Sequence, residues 1–129
     1  MITQFISHLK TQLSNYNRVD DAWDVEPFQD VDASDMPIAL AFLASETSQE
    51  SNADNRVRQR ADREIWVYTI CTTDQLEARR NELLAAALGW QAAPNWDALQ
   101  HRRGEIRKLA GEYIWWLDVF ATWRLISET

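Results

Sequence analysis

Residues able to carry out catalytic or metal chemistry are few in this chain and lie far apart. It has two histidines, His8 and His101, and a single cysteine, Cys71. Neither histidine has a second histidine, a cysteine or a carboxylate at the spacing typical of a zinc site. Cys71 ends a run rich in β-branched and aromatic residues, which favours a buried, unreactive thiol over a nucleophile. We therefore expect no metal site, no cofactor and no catalytic residue.

A strongly acidic segment, residues 18–36, comes closest to a metal-binding loop. The run from Asp30 to Ser34 begins as a calcium loop does. However, its sixth position is not glycine, and Ala41 occupies the position of the bidentate glutamate. A solvated acidic surface, or one that faces a pore or a partner, is the better interpretation. Its candidate residues are Asp20, Asp21, Asp24, Asp30 and Asp32.

A second segment, residues 45–62, carries dense charge of both signs and one large apolar side chain, Val57. Because little of it can be buried, we expect a mobile polar arm between two strands. Two interpretations stay open: a solvated hairpin tip, or an arm that becomes ordered against a neighbouring subunit, since arginine suits interface ion pairs. In the second case the candidate interface residues are Arg56, Arg58, Arg60, Arg63 and Asp54.

Composition narrows the class of protein. A length of 129 residues suits one domain, residues 1–129, and seven tryptophans with 46% apolar residues supply a core. The 20 acidic and 13 basic residues give a net charge of −7, which argues against a protein that grips nucleic acid, because that affinity comes from clustered cations. One cysteine excludes a disulfide scaffold and agrees with synthesis in the cytoplasm. We find no signal peptide and no membrane-spanning run.

Two helices should position these segments. Apolar residues spaced three and four apart predict a first helix over residues 2–14. A capping box from Thr72 to Gln75 and a left-handed stop at Gly89 bound a second helix at about residues 73–88. The expected buried face of the second helix is Leu76, Leu83, Leu84 and Leu88.

Five strands complete the expected order α-β-β-β-α-β-β. They are an edge strand around Trp23 and Val25, a strand covered on both faces after Pro37, and strands at residues 65–71, 99–109 and 112–126. This order predicts an α+β domain in which a mostly antiparallel β-sheet is packed by two α-helices, with the long polar hairpin arm extending from it. Trp115 and Trp123 share one face of the last strand, and we expect both to be buried against a helix.

The chain resembles the tail terminator proteins of long-tailed (lambda-like or Mu-like) bacteriophages. The similarity extends over most of the sequence: an N-terminal helix, the core strand after Pro37, a polar arm, and the strand at residues 65–71 that leads into Leu83 and Leu84. It continues through the Gly89-Trp90 junction with Pro94 and ends in an aromatic final strand. The junction is the most specific of these features.

This resemblance implies a structural virion protein rather than an enzyme. It implies a hexameric ring that caps the tail tube protein, stops tube polymerisation and provides the docking surface for head-completion proteins at the head-proximal end of the tail. DNA would pass through the ring without specific binding, and no membrane would be involved. Two alternatives stay open: another head–tail connector or tail-associated protein, and a small α+β ligand-binding domain or enzyme, since any two of twenty carboxylates can converge.

Overall fold

A computed structural model describes residues 1–22, 33–49 and 58–127. Its helices and strands occur in the expected order. They are α1 (Ile2–Gln12), β1 (Arg18–Asp21), β2 (Ile38–Gln49), β3 (Arg58–Thr72), α2 (Leu76–Ala87), β4 (Gln100–Ala110) and β5 (Tyr113–Ser127), with 3₁₀ turns at Ala33–Asp35 and Thr73–Gln75. None of the helices in these ranges is long and apolar enough to cross a membrane.

The strands form one sheet in the order β1-β2-β3-β5-β4. The β2–β3, β3–β5 and β5–β4 pairs are antiparallel, and β1 pairs with β2 in parallel. The predicted α+β class and mostly antiparallel sheet are therefore confirmed. β5 is paired along both sides, as expected for a strand with one wholly apolar face.

The two helices cover one face of the sheet. Phe5 and Leu9 of α1 and Leu83 of α2 are fully buried against Val67 and Phe120. Burying a side chain of this size contributes about 1.5–3 kcal/mol, so this core ties both helices to the middle strands. A polar link supports it: the hydroxyl of Tyr16 donates to the carbonyl oxygen of Arg79 at 2.9 Å and lies 3.1 Å from Thr69 Oγ1.

The opposite face of the sheet is also a core. Its buried residues among those described come from β2, β3, β5 and the position that follows β1, and they are Ala22, Ile38, Leu40, Tyr68, Ile70, Trp115, Leu117 and Val119. This confirms that the strand after Pro37 is covered on both sides. Trp115 is only 4% exposed and packs edge-on against Tyr68, so its predicted burial is confirmed, but its predicted contact with a helix is wrong.

Trp123 departs further from the expectation. It lies on the same side of β5 as Trp115 but near the end of the sheet, where it is only half-buried and the Arg60 guanidinium stacks over its ring at 4.8 Å. Alternation along β5 gives both tryptophans the same face. It cannot tell which face the helices cover, and that is the reason for the error.

The first edge strand also differs from the prediction. It is β1, Arg18–Asp21, and it aligns with β2 through Arg18 and Ile38. The amides of Asn17 and Arg18 both donate to the Pro37 carbonyl, which starts the pairing. An edge strand this short needs one inward residue, and Val19, 8% exposed, supplies it. The predicted strand around Trp23 and Val25 lies outside the described residues.

The arm is shorter than predicted. Residues 45–49 and 60–64 pair as a continuation of the β2–β3 ladder, and β5 flanks β3 as far as Arg58. Backbone hydrogen bonds and one fully buried residue, Ala61, hold these polar stretches in the sheet. The part of the arm that is not in these strands, residues 50–57, lies outside the described residues, and its mobility stays a prediction.

The second helix is close to its predicted range but not to its predicted caps. No side chain caps its start, so the expected capping box from Thr72 to Gln75 is not formed. Gly89 has φ +82°, which confirms the left-handed stop. Leu83 is buried as expected, but Leu88 is 48% exposed because the helix has already ended at Ala87.

Candidate functional site

The most concentrated group of ionisable side chains surrounds Asp118 on β5, whose carboxylate is fully buried. Arg80 of α2 binds it with two hydrogen bonds, Nη2 to Oδ1 at 2.7 Å and Nε to Oδ2 at 3.2 Å. His101 Nε2 of β4 lies 2.9 Å from Oδ1, and Trp116 Nε1 donates to the same oxygen at 3.2 Å. We call these four residues the Asp118 cluster.

Gly104 makes room for the Asp118 cluster. It is paired with Asp118 across the β4–β5 ladder. A Cβ at this position would lie 2.8 Å from Asp118 Oδ1, and 2.9 Å from both Arg80 Nη2 and Trp116 Nε1. At these distances a Cβ would force the side chains of the cluster to shift, so glycine fits this position best. Two register shifts occur in β4, one on each side of this glycine.

The Asp118 cluster behaves as a structural link and not as reactive chemistry. Its carboxylate accepts from three side chains, and the Arg80 guanidinium also stacks on the Trp116 ring at 4.6 Å. A buried charge is tolerated when it is paired and its lone pairs are satisfied. The cluster therefore joins α2, β4 and β5. Within the described ranges, no group of three or more metal-ligating side chains occurs.

The contact between His101 and Asp118 could not be predicted from the spacing of residues in the sequence. Its carboxylate partner lies 17 residues away and is brought next to it only by the β4–β5 ladder. Cross-strand neighbours cannot be recognised until the register is known. The available signal was a lone aspartate, Asp118, in an otherwise apolar run, which marks a buried group that needs partners.

The other two candidate chemical groups have structural positions. Cys71 is fully buried, as expected. Burial raises the pKa of its thiol to about 11, which leaves little of the reactive thiolate at neutral pH. His8 Nε2 lies 2.7 Å from the carbonyl oxygen of Ala86 and its ring is 6.1 Å from that of Trp90. His8 therefore connects α1 to the end of α2.

The predicted interface arginines do not form one patch. Alternation along β3 sends Arg60 and Arg63 to opposite faces of the sheet. Arg60 pairs with Asp62 at 2.8 Å, whereas Arg63 pairs with Glu46 at 2.8 Å and stacks on Trp96. Both are thus held within the subunit. Asp54, Arg56 and the side chain of Arg58 lie outside the described residues.

Two of the five acidic candidates belong to the described fold. Asp20 and Asp21 end β1, and Asp20 pairs with Arg18 at 2.6 Å. Asp24, Asp30 and Asp32 lie outside the described residues. The structure therefore places Asp20 and Asp21 at one edge of the sheet.

A basic edge at β4 was missed by the sequence analysis, which predicted a strand at residues 99–109 but did not consider its charge. Its cations are Arg102, Arg103, Arg107 and Lys108, and all four are exposed. The guanidinium groups of Arg103 and Arg107 lie 5.7 Å and 5.4 Å from the Trp66 ring, and both contact Glu105. A count of charge along residues 100–110 would have revealed this edge.

Comparison with known proteins agrees with this geometry of a structural subunit. A family model described as phage tail terminator protein matches residues 2–127. That range includes every helix and strand of the fold. A comparison with curated proteins found no match. Because the family model covers nearly the whole chain, the chain belongs to the phage tail terminator family.

Proposed function

We propose that this protein forms a hexameric ring that caps the tail tube at its head-proximal end, stops polymerisation of the tube protein and provides the docking surface for head-completion proteins. The observation that carries the proposal is the family match over residues 2–127. Membership of this family makes the chain a structural protein of the phage tail and of the virion. The ring, its position and its partners are the proposed part.

The packing of the described residues supports the role of a rigid structural subunit. Both faces of the sheet are packed, so the sheet has little open surface on which to form a ligand pocket. Asp118, the one fully buried charged side chain among the described residues, has its hydrogen bonds satisfied within the Asp118 cluster, which stiffens the subunit. A rigid subunit suits ring assembly, because less conformational entropy is lost when copies associate.

The net charge supports a ring through which DNA slides. At −7, the chain repels a phosphate backbone more than it attracts it. Specific or non-specific grip on DNA comes from phosphate neutralised by Lys and Arg. We therefore expect no retention of the protein on duplex DNA at moderate salt, even though DNA passes through the assembled ring.

Tube assembly with purified components tests the proposal. The protein is added to polymerising tail tube protein, and tube length and end structure are measured by negative-stain electron microscopy, with the mass of the free protein measured by sedimentation. We expect shorter tubes of uniform length with a six-fold ring at one end, and capped tubes that bind the head-completion protein. Tubes of unchanged length with bare ends would contradict termination.

A further inference from the structure

The sheet has two outer strands, β1 and β4, and they differ in the sign of their charge. β4 carries four cations and one carboxylate, Glu105, along 11 residues. β1 ends in Asp20 and Asp21 and leads into residues 20–35, which hold seven carboxylates and no Lys or Arg. Among the described strands, each of these two is paired along one side only.

Each edge also exposes a charge without a partner. Arg102 is exposed and makes no ion pair or hydrogen bond through its side chain within the described residues, unlike Arg103 and Arg107. Asp21, half-buried at the end of β1, likewise has no ionic partner there, whereas its neighbour Asp20 is paired with Arg18. The two unpartnered charges are therefore opposite in sign and lie at opposite edges.

Apolar side chains accompany the cations of β4. Ile106 is 50% exposed and Leu109 is 61% exposed. Both point to the side of the sheet that carries the helices, because they are paired with Trp116 and Ile114 of β5. An edge that combines exposed aliphatic groups with cations has the composition of a contact surface and not of a purely solvated strand.

We propose that the β4 edge of one subunit binds the β1 edge of the next copy of the same chain, with Arg102 facing Asp21. This inference rests on the proposed ring and assigns its subunit contact. A cyclic ring needs two different patches on each subunit, one for each neighbour. Opposite edges of one sheet supply such a pair, and their opposite charges select each other.

The same charges disfavour a symmetric dimer formed through two β4 edges. Two β4 edges would bring cations against cations, which disfavours a closed two-fold dimer that would leave no edge for a ring. The bulges that the register shifts create after His101 and Ile106 further hinder strand pairing between identical edges. Head-to-tail association of β4 with β1 avoids the repulsion between like charges.

Charge reversal at each edge tests the contact. Arg102→Glu and Asp21→Lys are made singly and together, and assembly is followed by sedimentation over a range of concentration and by tube capping. We expect each single variant to need at least about tenfold more protein for half-assembly, which is about 1.4 kcal/mol per interface. The combined variant should return to within about threefold of the wild type, because its edges again carry opposite charges.

Lys10→Glu is the matched control. Lys10 is an exposed cation on α1, and its reversal changes the net charge from −7 to −9, as Arg102→Glu does. It should shift half-assembly by less than about twofold. The neutral variant Arg102→Gln should lie between wild type and Arg102→Glu. Circular dichroism and urea unfolding verify that each variant is folded.

The outcomes separate the contact from the proposed function. If Arg102→Glu assembles like the wild type, or if the combined variant is no better than the single ones, the two edges do not meet and the inference is wrong. If Arg102→Glu forms rings but fails to cap tubes, β4 binds the tube protein instead, and the inference is again wrong while the proposed function stands. If wild-type protein forms no ring and leaves tube length unchanged, the proposed function fails and the inference fails with it.

Discussion

Removal of the Asp118 carboxylate should destabilise the fold more than any change to a surface charge. Asp118→Ala leaves Arg80, His101 and Trp116 without their common acceptor. Breaking a buried, hydrogen-bonded ion pair on one side costs about 3–5 kcal/mol. Arg80 keeps 25% of its side chain exposed and can regain water, so we expect a loss near the lower limit, about 3 kcal/mol.

Urea unfolding followed by tryptophan fluorescence measures this loss. For a chain of this length, about 3 kcal/mol corresponds to a fall in Tm on the order of 10 °C. A double-mutant cycle with Arg80→Ala then isolates the pairwise term, and we expect a coupling energy of at least about 1 kcal/mol. Arg80→Leu combined with Asp118→Leu is the control, because replacing both partners by apolar groups leaves no unpaired charge.

Two results would refute the reasoning. A loss below about 1 kcal/mol for Asp118→Ala would mean that the carboxylate is not a buried link. Additive effects of Asp118→Ala and Arg80→Ala would mean that the 2.7 Å contact stabilises nothing. A stable, cooperative double-leucine variant would instead support the interpretation, since it would show that the cost arises from leaving one partner unpaired.

Three further predictions follow from the described contacts. Gly104→Ala should lower the free energy of unfolding by about 1–3 kcal/mol in urea, because its Cβ would overlap Asp118 Oδ1; an unchanged midpoint would contradict the close approach. Trp115→Ala should cost about 3–5 kcal/mol and Trp123→Ala clearly less, since only the first is fully packed; equal losses would refute that difference. The free energy of unfolding should fall as pH rises from about 9 to about 11, because the Cys71 thiol stays protonated in the folded chain while it ionises in the unfolded chain. Cys71→Ala should reduce this dependence on pH when unfolding is measured from pH 8 to 11.

The sequence predicted the helices and strands of this fold better than the long-range contacts between them. Apolar periodicity located the first helix, and the boundary signals at Thr72–Gln75 and Gly89 located the second. The apolar run after Pro37 indicated a strand covered on both faces. The parallel edge strand was misplaced, because four residues with one inward side chain, Val19, leave almost no pattern. The Asp118 cluster depends on long-range register, and no local spacing contains that information.

The two bulges of β4 explain why the basic edge was hard to recognise from the sequence. They also explain why this edge pairs poorly with a second copy of itself. Each register shift inserts a residue into the ladder, and the residues at the shifts, Arg102 and Arg107, are both arginines. An inserted residue breaks the alternation from which a strand's faces are predicted, so the strand seems merely polar. It also places extra cations along an edge that identical copies cannot pair with easily. In the contact that we propose, an edge with bulges and cations therefore favours an acidic neighbour over a second copy of itself.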